Sequence, residues 1–149
     1  MKSGTQTAAL LAAAIIVGCT TSSSQTVTVP LNATPRNGGQ IANTTLAVQG
    51  NETAFSFVVS GVPSGTLRPL NLCTFINKGS CERPGSVAYA MNDRINTNRI
   101  SATRGWTYSR SAPVALSELL SGGYYLVVRT TPADGNVDIF CGDIKPETR

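Results

Sequence analysis

The feature that most constrains this chain is a rhythm of short apolar segments broken by turn residues about every 8–12 positions. The strongest strand signal is Thr53–Val59 (TAFSFVV). Thr26–Leu31 alternates, with Val27, Val29 and Leu31 on one face, as a half-buried strand requires. Asn37-Gly38-Gly39 reads as a turn, Ile41–Val48 alternates more loosely, and Gly50-Asn51 is a second turn. Further strands are expected at Leu70–Ile76, Val87–Met91, Arg99–Thr103, Trp106–Ser109, Tyr124–Thr130 and Val137–Ile144. The one helical segment is Pro113–Leu120, with Pro113 near a first helical position and Leu116, Leu119 and Leu120 on one side. This pattern predicts an all-β fold, an antiparallel Greek-key sandwich or barrel of about eight strands. With 149 residues and 41% hydrophobic content, the chain can bury one core, and the single domain is placed at 27–145.

The first 18 residues read as a signal peptide. Lys2 supplies a positive start and Ala8–Val17 an apolar run, too short for the roughly 20 residues that span a bilayer. Ile16-Val17-Gly18-Cys19 resembles the bacterial lipobox, which implies cleavage before Cys19 and acylation of that cysteine. Residues 19–26 then form the lipidated end and its polar tether. Stable anchoring needs at least two membrane signals, which a lipid-modified cysteine provides. Thr20 in place of Asp resembles the outer-membrane sorting pattern. The expected location is therefore the bacterial cell envelope, on the outer membrane facing the periplasm.

Charged residues make up only 13% of the chain, about half the usual share. Without Lys2, 11 basic and 8 acidic side chains remain, a mild excess of +3. Arg94, Arg99, Arg104 and Arg110 fall in one stretch with Trp106 and Tyr108 interleaved. Guanidinium groups suit bidentate contact with carboxylate or phosphate, and the aromatics could stack on a sugar. The plain alternative is a strand pair whose arginines face water. For an exported protein, anionic glycans or lipid headgroups fit as partners and nucleic acid does not.

Two blocks carry a family resemblance. In GVPSGTLRPLNLCTFINKGSC the order Gly61, Leu67, Leu70, Cys73, Gly79, Cys81 is similar to the copper-zinc superoxide dismutases and chordin-type domains. LLSGGYYLVVRTTPADGNVDIFCGDIK, with Val127-Val128-Arg129 and Cys141-Gly142-Asp143-Ile144, resembles the end of the same superfamily. The resemblance implies a superoxide-dismutase-like sandwich and a Cys81–Cys141 disulfide, with Cys73 as a free thiol. A local Cys73–Cys81 bond across the Asn77-Lys78-Gly79 turn is the competing pairing. Alternation places Val137, Ile139 and Cys141 on one face, which would point Cys141 inward.

At the family's metal positions this chain has Asn71, Cys73 and Arg129. The protein contains no histidine. A permanent cation and a weak neutral amide cannot replace imidazoles, so superoxide dismutation is not expected, and no metal or cofactor is assigned. A soft copper(I) site from Cys73 and Met91 is the metal-handling alternative. Missing histidine also removes the Ser-His and Cys-His nucleophile pairs. G-x-S-x-G, P-loop and C-x-x-C motifs do not occur, and no catalytic residue is named. Ser121, Gly122 and Tyr125 fit the S-G-x-x-Y pattern of periplasmic lysozyme inhibitors, which makes that loop an alternative binding element. The positive charge argues against it, because lysozymes are usually basic. The expected protein is a non-catalytic envelope lipoprotein that binds or builds.

Overall fold

The computed structural model describes residues 25–100 and 105–146. The described residues form nine strands: β1 (Thr26–Ala33), β2 (Ile41–Gln49), β3 (Glu52–Val59), β4 (Leu72–Gly79), β5 (Pro84–Ala90), β6 (Asn98–Arg99), β7 (Trp106–Ala112), β8 (Tyr124–Thr130) and β9 (Asp138–Asp143). Among the described residues one short α-helix, α1 (Leu116–Leu120), precedes β8, and two single 3-10 turns lie at Pro35–Asn37 and Pro132–Asp134. All ladders are antiparallel, in the order β5-β4-β8-β9-β1-β2-β3-β7-β6.

That order splits into two groups, β5-β4-β8-β9 and β1-β2-β3-β7-β6. The chain crosses between them three times, at β3–β4, β5–β6 and β7–β8. They are joined by the β1–β9 ladder, which has only two registered pairs, Asn32 with Cys141 and Ala33 with Phe140. A short ladder resists bending little, so the sheet folds there into a sandwich open along one side. Gly142 permits the close approach: a Cβ on it would lie 2.5 Å from the Pro30 carbonyl oxygen and 2.6 Å from Leu31 Cδ2.

Alternation and register together build the core. In the first group, Val27, Leu46, Phe55 and Arg110 are cross-strand neighbours in one row, and Val29, Thr44, Phe57 and Tyr108 in the next. In the other, Thr74, Val128 and Phe140 form a row facing inward. All eleven of these side chains have at most 8% exposure, so one face of each group closes on the other. The opposite face of the first group carries rows such as Thr28, Thr45, Ser56 and Ser109. Small hydroxyl residues at these outward positions explain how a sequence so poor in charge stays polar at its surface.

The expected all-β antiparallel fold is observed. Three details differ. The described residues form nine strands rather than about eight, and of the expected Arg99–Thr103 strand Arg99 lies in β6 while residues 101–103 lie outside the described residues. The helix begins at Leu116 instead of near Pro113, because the Val114 carbonyl accepts from Thr53 Oγ1 at 2.8 Å and its N–H donates to the Ala112 carbonyl. In β9 the register jumps from Val128 opposite Phe140 to Arg129 opposite Asp138. This bulge turns both Ile139 and Phe140 inward and reverses the phase, so Cys141 and Asp143 face outward rather than into the core.

The Cys81–Cys141 disulfide is present, and it closes on that outer face. Cys81 N–H donates to Asp143 Oδ1 at 2.8 Å, so the loop after β4 lies over the outer side of β8 and β9. Beneath it, Val127 (4% exposed) stands opposite Cys141, and Tyr125 (3%) opposite Asp143. Asn77 Nδ2 donates to the Tyr125 hydroxyl at 3.1 Å.

Candidate functional site

Six residues form the expected anionic surface, and the structure divides them between the interior and the surface. Arg104 and the acylation residue Cys19 lie outside the described residues. Arg94 is exposed on the segment after β5, and it lines a shallow cleft with Ser109, Ser111 and the largely buried Arg110. Tyr108 and Arg110 are not surface residues, with 2% and 8% exposure, because their strand positions point into the core.

Inside, that pair fastens the two groups of strands together. Arg110 Nη2 donates to the Leu72 carbonyl at 3.1 Å and Nη1 to the Ser109 carbonyl at 2.8 Å, while Nε has no partner. The guanidinium carbon lies 4.5 Å from the centre of the Tyr108 ring. The Tyr108 hydroxyl meets Thr74 Oγ1 at 3.3 Å. β4 and β7 stand near opposite ends of the sheet order, so these contacts hold the open side of the sandwich together.

Burial raises the Tyr108 pKa far above the ordinary phenol value, opposed by the Thr74 hydrogen bond and the Arg110 charge. A raised folded value favours the neutral phenol. Its contribution is complete below the unfolded value of about 10 and is lost as pH rises through the folded one. The wild-type urea midpoint should therefore fall more between about pH 8 and pH 11 than that of Tyr108→Phe, whose residue cannot ionise. Parallel pH profiles would contradict this account.

Near the Ala33 end of the sandwich, Trp106 is half-buried on β7 and stands opposite Arg99 on β6. The Arg99 guanidinium carbon is 5.3 Å from the ring centre, and that of Arg68, from the loop before β4, is 4.8 Å away. Two cations thus share one quadrupole, a contact worth about 0.5–1 kcal/mol each at exposed sites. Arg68 Nη1 also donates to the Thr66 carbonyl at 3.2 Å. Among the described residues, neither arginine forms an ion pair. Their remaining N–H groups face solvent, ready for carboxylate or phosphate oxygens. The ring is already occupied by the guanidinium groups, so the exposed recognition elements are the arginine edges.

Arg68 lies outside the expected set of surface residues. Its loop reaches Trp106 only through the β3–β4 crossover, which no local pattern encodes. Arg36 lies nearby in chain topology, on the Pro35–Asn37 turn that follows β1, and forms no ion pair among the described residues.

Comparison with family models, with characterised proteins and with solved structures returns no match.

The three metal-position residues come together only in part. Cys73 stands opposite Arg129 in the β4–β8 ladder, while Asn71 bridges to Asn96. Arg129 is paired with Asp138 and stacks 5.0 Å over Phe75. The Asp138 hydrogen bond raises the Arg129 pKa further, so a fixed positive charge faces the Cys73 thiol. Burial pushes that thiol up, partly offset by Arg110 and Arg129. A protonated thiol beside a cation is a poor metal donor set. Met91, the other sulfur of the copper(I) alternative, is in the core at 4% exposure.

In the lysozyme-inhibitor pattern, Ser121 and Gly122 are exposed on the turn after α1. Tyr125 is buried against Asn77, so the loop cannot present it to a partner without unpacking. Burial of the third fixed residue weighs against this alternative.

Proposed function

We propose that this protein is a lipid-anchored, non-catalytic β-sandwich of the bacterial cell envelope that binds anionic envelope components. The observation that carries the reading is the Arg68–Trp106–Arg99 cluster, where two exposed guanidinium groups are positioned by one ring with no carboxylate partner among the described residues. Cleavage before Cys19, acylation of that residue and outer-membrane attachment complete the proposal, supported by the apolar run and the lipobox-like tetrapeptide. Kinship with the superoxide-dismutase and chordin-type superfamily is part of it. The Cys81–Cys141 bond and the Cys73–Arg129 pairing support that kinship, each linking the two blocks that carry the resemblance. The substituted metal positions are the reason to assign binding rather than redox chemistry.

Arg68→Ala combined with Arg99→Ala should weaken binding to polygalacturonate, a carboxylate polysaccharide, by at least about tenfold at low salt, with a smaller difference at high salt. Equilibrium dialysis measures it. Equal binding by both forms at low ionic strength would leave these arginines as solvated surface residues.

A further inference from the structure

Arg110 is a buried cation that no carboxylate of the described residues neutralises. The ion pairs among those residues are Arg129 with Asp138 and Lys145 with Asp143. Arg110, at 8% exposure, meets only the Leu72 and Ser109 carbonyls and the Tyr108 ring. Those two hydrogen bonds leave most of its N–H groups uncommitted, and Nε is buried without a partner. A buried charge ordinarily sits against an opposite charge, because neutral dipoles replace lost hydration only in part.

The fold opens a cleft at this charge. Among the described residues β7 pairs with β6 only at Trp106 and Thr107, so its outer edge has no ladder from Tyr108 onward. A cleft of about 400 Å³ lies along that edge and is lined from both faces of the strand, by Arg110 from the inner one and by Ser109 and Ser111 from the outer one. Its lining continues onto the segment after β5, which three bonds fasten to β4. Met91 N–H donates to the Thr74 carbonyl at 2.9 Å, Thr74 N–H donates to Asn92 Oδ1 at 2.7 Å, and Leu72 N–H donates to the Ile95 carbonyl at 2.8 Å. The segment so held supplies Asp93 and Arg94 to the lining, and neither forms an ion pair among the described residues. Two guanidinium groups against one carboxylate leave the cleft with an excess of positive charge. The two cations feel one another: burial lowers the Arg110 pKa, Tyr108 and Cys73 oppose that, and the Arg94 charge lowers it further.

We propose that this cleft binds a small molecule through an oxyanion group, a carboxylate or a phosphate, held between Arg94 and Arg110 with the Ser109 and Ser111 hydroxyls as further donors. Its volume is at the small end of ligand pockets, which suits a small acid and not a polymer chain. Ala47 and Ala54 in the lining offer apolar surface to the rest of such a molecule. A bound oxyanion neutralises the buried guanidinium and relieves its repulsion from Arg94, so binding should also fasten the open side of the sandwich. The cleft shares no lining residue with the Arg68–Trp106–Arg99 cluster. It is a second site, and it does not depend on the reading proposed for the first.

The test follows the Arg110 Nε–H resonance of the full-length protein with isotope-labelled arginine, identified by its loss in Arg110→Lys. Titration with inorganic phosphate, and separately with acetate, at an ionic strength held constant with chloride should shift it saturably for at least one of the two. Tighter binding of phosphate assigns a phosphate ester as the ligand class, and tighter binding of acetate a carboxylic acid. Arg94→Gln, a change at an exposed position, should weaken the tighter of the two by at least about tenfold. The same anion should raise the urea midpoint of the wild type and not that of Arg94→Gln, a second readout that does not need the resonance. Arg68→Ala, Arg99→Ala protein should bind it within about twofold of the wild type. An Arg110 signal and a midpoint that neither anion moves, an affinity unchanged in Arg94→Gln, or binding lost with Arg68 and Arg99 would each overturn the proposal.

Discussion

Replacing Cys81 and Cys141 together with serine should lower the stability of the domain by about 4 kcal/mol. The bond spans 60 positions of sequence, and the chain-entropy model assigns this much to a loop of that length. Local structure adds to the expectation. The Cys81 loop is held to the outer face by this bond and by the Asp143 hydrogen bond, and it lies over Val127 and Tyr125. Loosening the loop exposes those side chains and the Asn77–Tyr125 hydrogen bond to water. Urea denaturation of the double variant beside the oxidised wild type measures the loss. Hydrogen exchange should quicken first around Asn77 and Tyr125. An unchanged midpoint would mean that the bond contributes nothing to the folded state.

Phe57→Ala should cost about 3–5 kcal/mol, the range for deleting a buried phenyl ring whose surroundings cannot collapse. Phe57 has no exposure and lies between two aromatic neighbours. Its ring centre is 4.6 Å from that of Tyr108, with the ring planes almost parallel at 7°, and 6.1 Å from that of Phe55. Phe57 and Tyr108 are directly opposed across the β3–β7 ladder, so a cavity here also loosens the ring that meets Thr74 and Arg110. Phe57→Leu keeps most of the volume and should cost under about 1.5 kcal/mol. Chemical denaturation separates the two variants. Equal, small losses would show that the rings at the centre of the core are interchangeable with a void.

Strand periodicity was legible wherever one face is buried and the other wet. Val27, Val29 and Leu31 alternate in sequence and in the fold, and Tyr124–Thr130 is the strand that the pattern marks out. Failures came where the determinant is non-local. The β9 bulge is set by packing of Ile139 and Phe140 together, so counting in twos from Val137 put Cys141 on the wrong face. Arginine is rarely buried, so Arg110 reads as a surface residue. It is inside because β4, 38 positions away, offers the Leu72 carbonyl at the open side of the sandwich. The disulfide was legible through the resemblance, whereas Arg68 was not legible at all. Trp106 and Arg99 are near one another in sequence, but Arg68 joins them only after the chain crosses between the two groups of strands.

Trp106 is the one tryptophan of the chain, so its fluorescence reports directly on the proposed site. Guanidinium groups that leave the ring to grasp a carboxylate change the field at the indole. Titrating the protein with polygalacturonate at low salt should shift the Trp106 emission saturably, and added salt should reverse the shift. Arg68→Ala, Arg99→Ala protein should show no such change. A tryptophan signal that stays flat while the polymer binds would place the anion site elsewhere and contradict the account.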